Sequence, residues 1–131
     1  MSTQLNYPAH LDIARKGTPL QKMERLTEEL GVEIFFKRDD LTGCELSGNK
    51  IRKLEFLLAE ARAGGARGVI TFGVAGSNHA LATTLSASRC GLGSHSLLTR
   101  QTNASYVRRN LLAGLHAGAS LVHCESEAAA S

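Results

Sequence analysis

The chain has 131 residues, 43% of them hydrophobic and 21% charged, with a formal net charge of +3; this suits one globular domain with a real core and is too short for two large ones. Its basic residues come in pairs (Lys37-Arg38, Arg52-Lys53, Arg108-Arg109) beside acidic ones and without interleaved aromatics, which argues against a nucleic-acid groove and favours small anionic ligands. No apolar run reaches the length of a membrane span or resembles a signal-peptide core, and Cys44, Cys90 and Cys124 form no CxxC pair, so a reducing cytoplasm is the expected setting.

Residues 1–17 are mixed and polar, broken by Pro8 and Gly17, and read as an irregular lead-in. Thr18-Pro19 predicts a helix start, a capping threonine followed by proline at the first helical position. That helix would run over residues 21–30, with Leu20, Met23, Leu26 and Leu30 inward and Gly31 as its stop. Residues 32–37 are rich in β-branched and aromatic side chains and predict the first strand. Asp39-Asp40 opens a turn cluster; a catalytic acid pair is disfavoured because neighbouring extended residues point to opposite faces.

The stretch Ser47-Gly48-Asn49-Lys50 then predicts a tight polar loop opening a helix that stops at Gly64-Gly65. At 3.6 residues per turn, Ile51, Leu54, Leu57, Leu58 and Ala61 share one face, and Lys50 falls within the same arc. Arg52, Lys53, Glu55 and Glu60 lie outside it. A lysine on a packing face is costly to desolvate unless it works as a neutral amine or is covalently capped; snorkelling to water is the bland alternative.

After that the pattern is regular: a strand at 69–72, a loop at 73–78, a helix at 79–89, a strand at 94–99, a helix capped by Asn103 and running to 115, and a last strand at 121–124. Strands alternating with helices predict right-handed βαβ units and a parallel sheet with flanking helices. The few helices would leave part of such a sheet uncovered, so the expectation is a fragment or a chain completed by a partner.

In parallel sheets ligands sit at the C-terminal ends of strands. The loop Gly73-Val74-Ala75-Gly76-Ser77-Asn78-His79 is of that kind. Its glycines allow close approach, and a helix N-terminus suits a carboxylate or phosphate. A plain capping turn on Ser77 or Asn78 explains the polar pair equally well. The loop is neither a dinucleotide GxGxxG nor a P-loop. Ser47-x-x-Lys50 matches the SxxK of acyl-enzyme hydrolases, but no SDN or KTG element follows. His116, His123 and Cys124 fit no common zinc spacing, and His10 and His95 read as surface or loop histidines.

Taken in order, Thr18-Pro19-Leu20, the run from Phe36 through Lys37-Arg38-Asp39-Asp40-Leu41-Thr42-Gly43, Ser47-Gly48-Asn49-Lys50-Ile51-Arg52-Lys53-Leu54-Glu55, and Gly76-Ser77-Asn78-His79 resemble the N-terminal part of fold-type II pyridoxal-phosphate enzymes. The branch they look like is the 1-aminocyclopropane-1-carboxylate deaminase and D-cysteine desulfhydrase group, over about residues 17–124. The resemblance implies a tryptophan-synthase-β-like fold, incomplete in this chain, with residues 1–45 in the larger domain and 46–131 in a smaller α/β subdomain. The cofactor phosphate cup, the group facing the pyridine nitrogen and the substrate-selecting tyrosines of such enzymes would lie further along.

Lys50 would be the Schiff-base lysine and the base at the substrate carbon. Asn78 would bond the cofactor's 3′-oxygen, with Asn49 beside it. Ser77, Asn78 and His79 would hold the substrate, Ser77 and His79 taking its carboxylate, and Ser77 would assist proton transfer. A lysine at a positive helix end can be lowered from its ordinary pKa of about 10.4 toward reactivity. The implied activity is conversion of a small amino acid to a 2-oxo acid and ammonia, with sulfide from D-cysteine, in a homodimer without metal. A non-catalytic α/β anion-binding module is the alternative. Related sequences carry Ile-Gln where this one has Ala75-Gly76, a departure expected to widen the pocket.

Overall fold

The computed structural model describes residues 7–43, 48–102 and 104–126. The N-terminal part holds β1 (Leu20–Lys22), α1 (Glu24–Leu30) and β2 (Phe35–Lys37), with β1 and β2 antiparallel. The remainder is α2 (Lys50–Ala63), β3 (Gly68–Val74), α3 (Asn78–Arg89), β4 (Gly93–Thr99), α4 (Ser105–His116) and β5 (Ser120–His123). Strands β3, β4 and β5 pair in parallel in sequence order, with Thr71 beside Ser96 and Ser96 beside Leu121. This is the expected α/β architecture.

Helix α3 lies at the centre of the packing. Its small residues Ala80, Ala82, Thr83, Thr84, Ser86 and Ala87 are all buried, and their size lets the helix lie close to the sheet. The hydroxyls this buries satisfy one another: Thr84 Oγ1 is 2.7 Å from Ser94 Oγ and 3.5 Å from Ser96 Oγ, as buried polar atoms require. Leu54 and Leu58 of α2 close the core with Ala82, Ala87 and Leu92. On α4 the buried stripe is Val107, Asn110 and Gly114. Along β3 burial alternates: Thr71 is buried, whereas Ile70 and Phe72 are 62% and 54% exposed, so one sheet face has no helix over it among the described residues.

The predicted helix start at Thr18-Pro19 is not observed. Residues 20–22 are a strand, and the helix begins only at Glu24. Tertiary bonds decide this. The Thr18 hydroxyl accepts from Arg52 instead of capping a helix, while the backbone of β1 pairs with β2 and Met23 N donates to Ile34 O at 2.9 Å. Leu20, Leu26 and Leu30, expected inward, are exposed. Gly31 does stop the helix, its N–H bonding Thr27 O.

Two positions on α2 also differ from the helical-wheel expectation. Leu57 is 52% exposed, and Glu55 is buried. Glu55 is drawn inside because Oε1 accepts the N–H groups of Ile13 and Ala14 at 3.2 and 3.0 Å, while its carbonyl accepts Leu11 N–H at 3.0 Å. Residues 11–14 of the lead-in are therefore docked on α2 by N–H bonds to Glu55 that periodicity does not reveal.

Candidate functional site

Lys50 is the first residue of α2 and half-buried. Before it, Gly48 and Asn49 form a turn, and the exposed Asn49 side chain makes no cap bond. Ser47, and with it the SxxK reading, lies outside the described residues, as do Cys44, the Asn103 cap and residues 127–131. The turn is anchored from below. The hydroxyl of Thr42, itself fully buried, lies 2.8 Å from Asp39 O and 3.1 Å from Gly48 O.

Arg52, two residues beyond Lys50, grips Asp39: Nε is 3.0 Å from both carboxylate oxygens and Nη2 is 2.7 Å from Oδ1. Nη2 also donates to Thr18 Oγ1 at 2.8 Å. The guanidinium holds the Asp39 carboxyl below its ordinary range. Lys37 adds a bond from its ammonium to the Thr18 carbonyl. Asp40 turns the other way, to Arg38 at 2.7 Å, so the two carboxylates diverge and Asp39 alone of the pair bonds the lysine-bearing helix, through Arg52.

The second loop, residues 75–77, leaves the C-terminal end of β3 beside that of β4, where Ala75 N–H bonds Thr99 O at 2.9 Å. Ser77 is the N-cap of α3, its Oγ accepting Ala80 N–H at 3.2 Å. The capping reading is thus correct, and it leaves the hydroxyl proton of Ser77 available, since the oxygen caps as an acceptor. A Cβ on Gly73 would sit 2.8 Å from Ser77 Cβ, so glycine at 73 is what admits Ser77 to this position.

Gly76 is held even more closely. A Cβ there would meet Tyr106 Cε2 at 2.7 Å, Gln101 Oε1 at 2.8 Å and Val107 Cγ2 at 2.9 Å. The expected widening of the pocket at position 76 is therefore not found. The space in that direction is filled from behind by Gln101 and the first turn of α4. Gln101 Oε1 accepts Gly76 N–H at 2.7 Å, and Asn110 Nδ2 donates to Gly76 O at 2.8 Å and to Asn78 Oδ1 at 2.9 Å. These supports were missed from sequence; the available signal was Asn110, a polar residue on an otherwise apolar helical stripe.

His79, in the first turn of α3, links the two loops electrostatically. Burial first, then the positive charges of Lys53 and Lys50 on α2, push its pKa below the ordinary value. The lowered value favours the neutral ring at neutral pH, and its buried Nδ1 has no partner among the described residues. Lys50, Ser77, Asn78 and His79 all belong to helix starts, where free N–H groups and the helix dipole favour anions. Among the described residues no group of three His, Cys, Asp or Glu side chains could hold a metal.

A parallel α/β sheet with polar helix starts at its C-terminal strand ends defines the class, a small-molecule-binding α/β protein. The family model described as pyridoxal-phosphate dependent enzyme matches residues 11–131, and the chain belongs to that family. A D-cysteine desulfhydrase of Yersinia pestis is 42% identical over 121 residues, covering 88% of this chain and 36% of the relative. A Pyrococcus abyssi protein named for 1-aminocyclopropane-1-carboxylate deaminase is 55% identical over 76 residues, covering 58% of this chain and 23% of its own length. A solved structure, described as an ACC deaminase homologue, superposes with a TM-score of 0.80 at 34% identity over 93% of this chain and 37% of the other. The chain thus spans roughly a quarter to a third of these relatives' lengths.

The family's cofactor is pyridoxal phosphate, and the residues present fit it. A half-buried amine stands at a helix start, an orphaned imidazole nitrogen lies at the neighbouring helix start, and glycines 73 and 76 keep the intervening backbone close-packed. No described helix is long and apolar enough to cross a membrane.

Proposed function

We propose that this chain carries the lysine and carboxylate-binding half of the active site of a pyridoxal-phosphate-dependent deaminase or desulfhydrase. Its substrate is a small amino acid of the D-cysteine or 1-aminocyclopropane-1-carboxylate type. The products are a 2-oxo acid and ammonia, with sulfide when the substrate is D-cysteine. The observation that carries this reading is that Lys50 opens α2 while Ser77, Asn78 and His79 form the start of α3 in a chain of this family.

Bound pyridoxal phosphate supplies the electron sink; the protein supplies position and electrostatics. Lys50 would hold the cofactor through its amine, and its free amine would be the base at the substrate carbon. Asn78 would donate a hydrogen bond to the cofactor's ring oxygen, with Asn49 alongside. Ser77 and neutral His79, with nearby backbone N–H groups of α3, hold the substrate carboxylate, and Ser77 passes a proton. We assign residues 46–131 to the smaller subdomain and 1–45 to the larger one, in a cytoplasmic homodimer.

The test is borohydride reduction of the pyridoxal-phosphate-treated protein followed by peptide mapping. Lys50 is expected to carry the label. A label on another lysine, or none, sinks this reading and favours a non-catalytic anion-binding module.

A further inference from the structure

We propose that Asn110 is a positioning residue: it fixes which end of the Asn78 amide faces the cofactor site, presenting Asn78 Nδ2 there as a hydrogen-bond donor. The inference rests on the reading that Asn78 faces the cofactor, and deepens it by naming what sets that residue's orientation.

Asn110 is only 4% exposed, on the core-facing stripe between Val107 and Gly114. A polar side chain there is costly unless its bonds are made. Its Nδ2 lies 2.8 Å from the carbonyl oxygen of Gly76 and 2.9 Å from Asn78 Oδ1. The two ends of an amide side chain look alike by shape, and bonding must tell them apart. Here the bonding is unambiguous. A backbone carbonyl only accepts, so the atom of Asn110 that faces Gly76 O must be the amide nitrogen.

That nitrogen carries two hydrogens and meets two acceptors. Since Asn110 donates to both, the Asn78 atom beside it must be Oδ1. The amide nitrogen of Asn78 is then turned away from α4 as a donor. Asn110 leaves its own acceptor unused: Oδ1 is buried without a partner among the described residues. The residue is kept on the core stripe at a cost, and what it achieves is the orientation of Asn78.

The backbone reinforces the device. Gln101 takes the N–H of Gly76 at 2.7 Å while Asn110 takes its carbonyl, so the peptide preceding α3 is gripped at both polar atoms of residue 76. Gln101 is held in turn by Tyr106, its Nε2 lying 2.6 Å from the phenolic oxygen. With Gly76 unable to shift toward α4, Asn78 has no slack with which to exchange its two amide ends. A donor fixed in this way suits an electron-rich oxygen, such as the ring oxygen of the cofactor, and opposes a donor group in the same place.

The Asn110→Asp variant reads this directly. A buried carboxyl offers at most one hydrogen, and Gly76 O, which can only accept, takes it. Asn78 would then face an acceptor and turn its amide round. In the pyridoxal-phosphate-loaded protein, the Kd for the cofactor is expected to rise about tenfold or more, the scale of one bond to a charged acceptor. The absorption spectrum of the bound cofactor should shift toward its form with a protonated ring oxygen. In an Asn78→Ala background the same substitution should change neither quantity.

An equal change in both backgrounds, or no change in Kd and spectrum in the parent background, overturns the proposal. Should Asn110→Asp fail to fold, the unaltered protein still decides by NMR. Both side-chain amide protons of Asn110 must be protected from solvent exchange, and rapid exchange of either overturns the assignment. Borohydride labelling of Lys50 in the parent protein separates the two readings. Absence of label breaks the proposed function, whereas the protection of the Asn110 protons still tests the grip on Asn78.

Discussion

Residues 20–37 and the unit from α2 to β5 are built on different principles. From Leu20 to Lys37 no residue is buried, and Leu20, Leu30 and Val32 are 64%, 61% and 59% exposed. In the second unit Leu58 and Ala87 are 1% and 0% exposed. The first region is held by backbone pairing and by partly exposed ion pairs such as Lys22 with Glu33, which are worth little each. The second is held by a packed core, and both candidate loops are attached to it. The site therefore stands on the part of the chain whose geometry is fixed by burial. Next to the hairpin, Thr18 and Asp39 bond Arg52 of α2.

The largest contrast is expected from matched truncations. Leu58→Ala should cost about 2–5 kcal/mol, the range for emptying a leucine site in a core. Leu30→Ala in the exposed region should stay within about 0.5 kcal/mol. Denaturant midpoints of the two variants measure the difference, and similar values would erase the distinction between the regions. Gly76→Val comes next. Its side chain would collide with Tyr106, Gln101 and Val107, for an expected loss of about 1–3 kcal/mol typical of overpacking. A neutral result would mean that the space behind the loop is open.

The smallest effect is the pH response of His79, whose folded-state pKa is depressed below 6.5 by burial and then by Lys53 and Lys50. The unfolded chain binds this proton more readily, so stability rises with pH across the window from the lowered value up to 6.5 and is flat above it. Acidification below that point should therefore cost the parent protein stability that His79→Gln does not lose. Urea titrations of both proteins at several pH values measure it. Parallel curves would detach His79 from the lysine side of the site.

Legibility in the sequence follows the same division. Helix α2 and the three parallel strands with their helices could be read within a residue or two, because apolar spacing there coincides with burial. The start at Thr18-Pro19 misled because a threonine before proline also serves a tertiary bond, and local capping rules cannot know that Arg52 lies across from it. Glu55 lies outside the apolar arc at helical spacing, yet it is buried because the lead-in brings N–H groups to it. At position 76 an absent side chain suggested open space. Packing fills that space from residues 101, 106 and 107, which lie 25 or more positions away.

By itself the sequence determined the α/β class, the helix that begins at Lys50, the polar helix start at Ser77 and the family, because periodicity, breaker residues and motif order are local properties. Only the tertiary structure decided that Asp39 and Arg52 brace the lysine-bearing turn, that His79 is held neutral beside Lys50 and Lys53, and that Asn110 sets the face of Asn78. Each of these depends on the distance and direction between groups far apart in the chain. Hydrogen bonds and desolvation act only once folding has made those distances short.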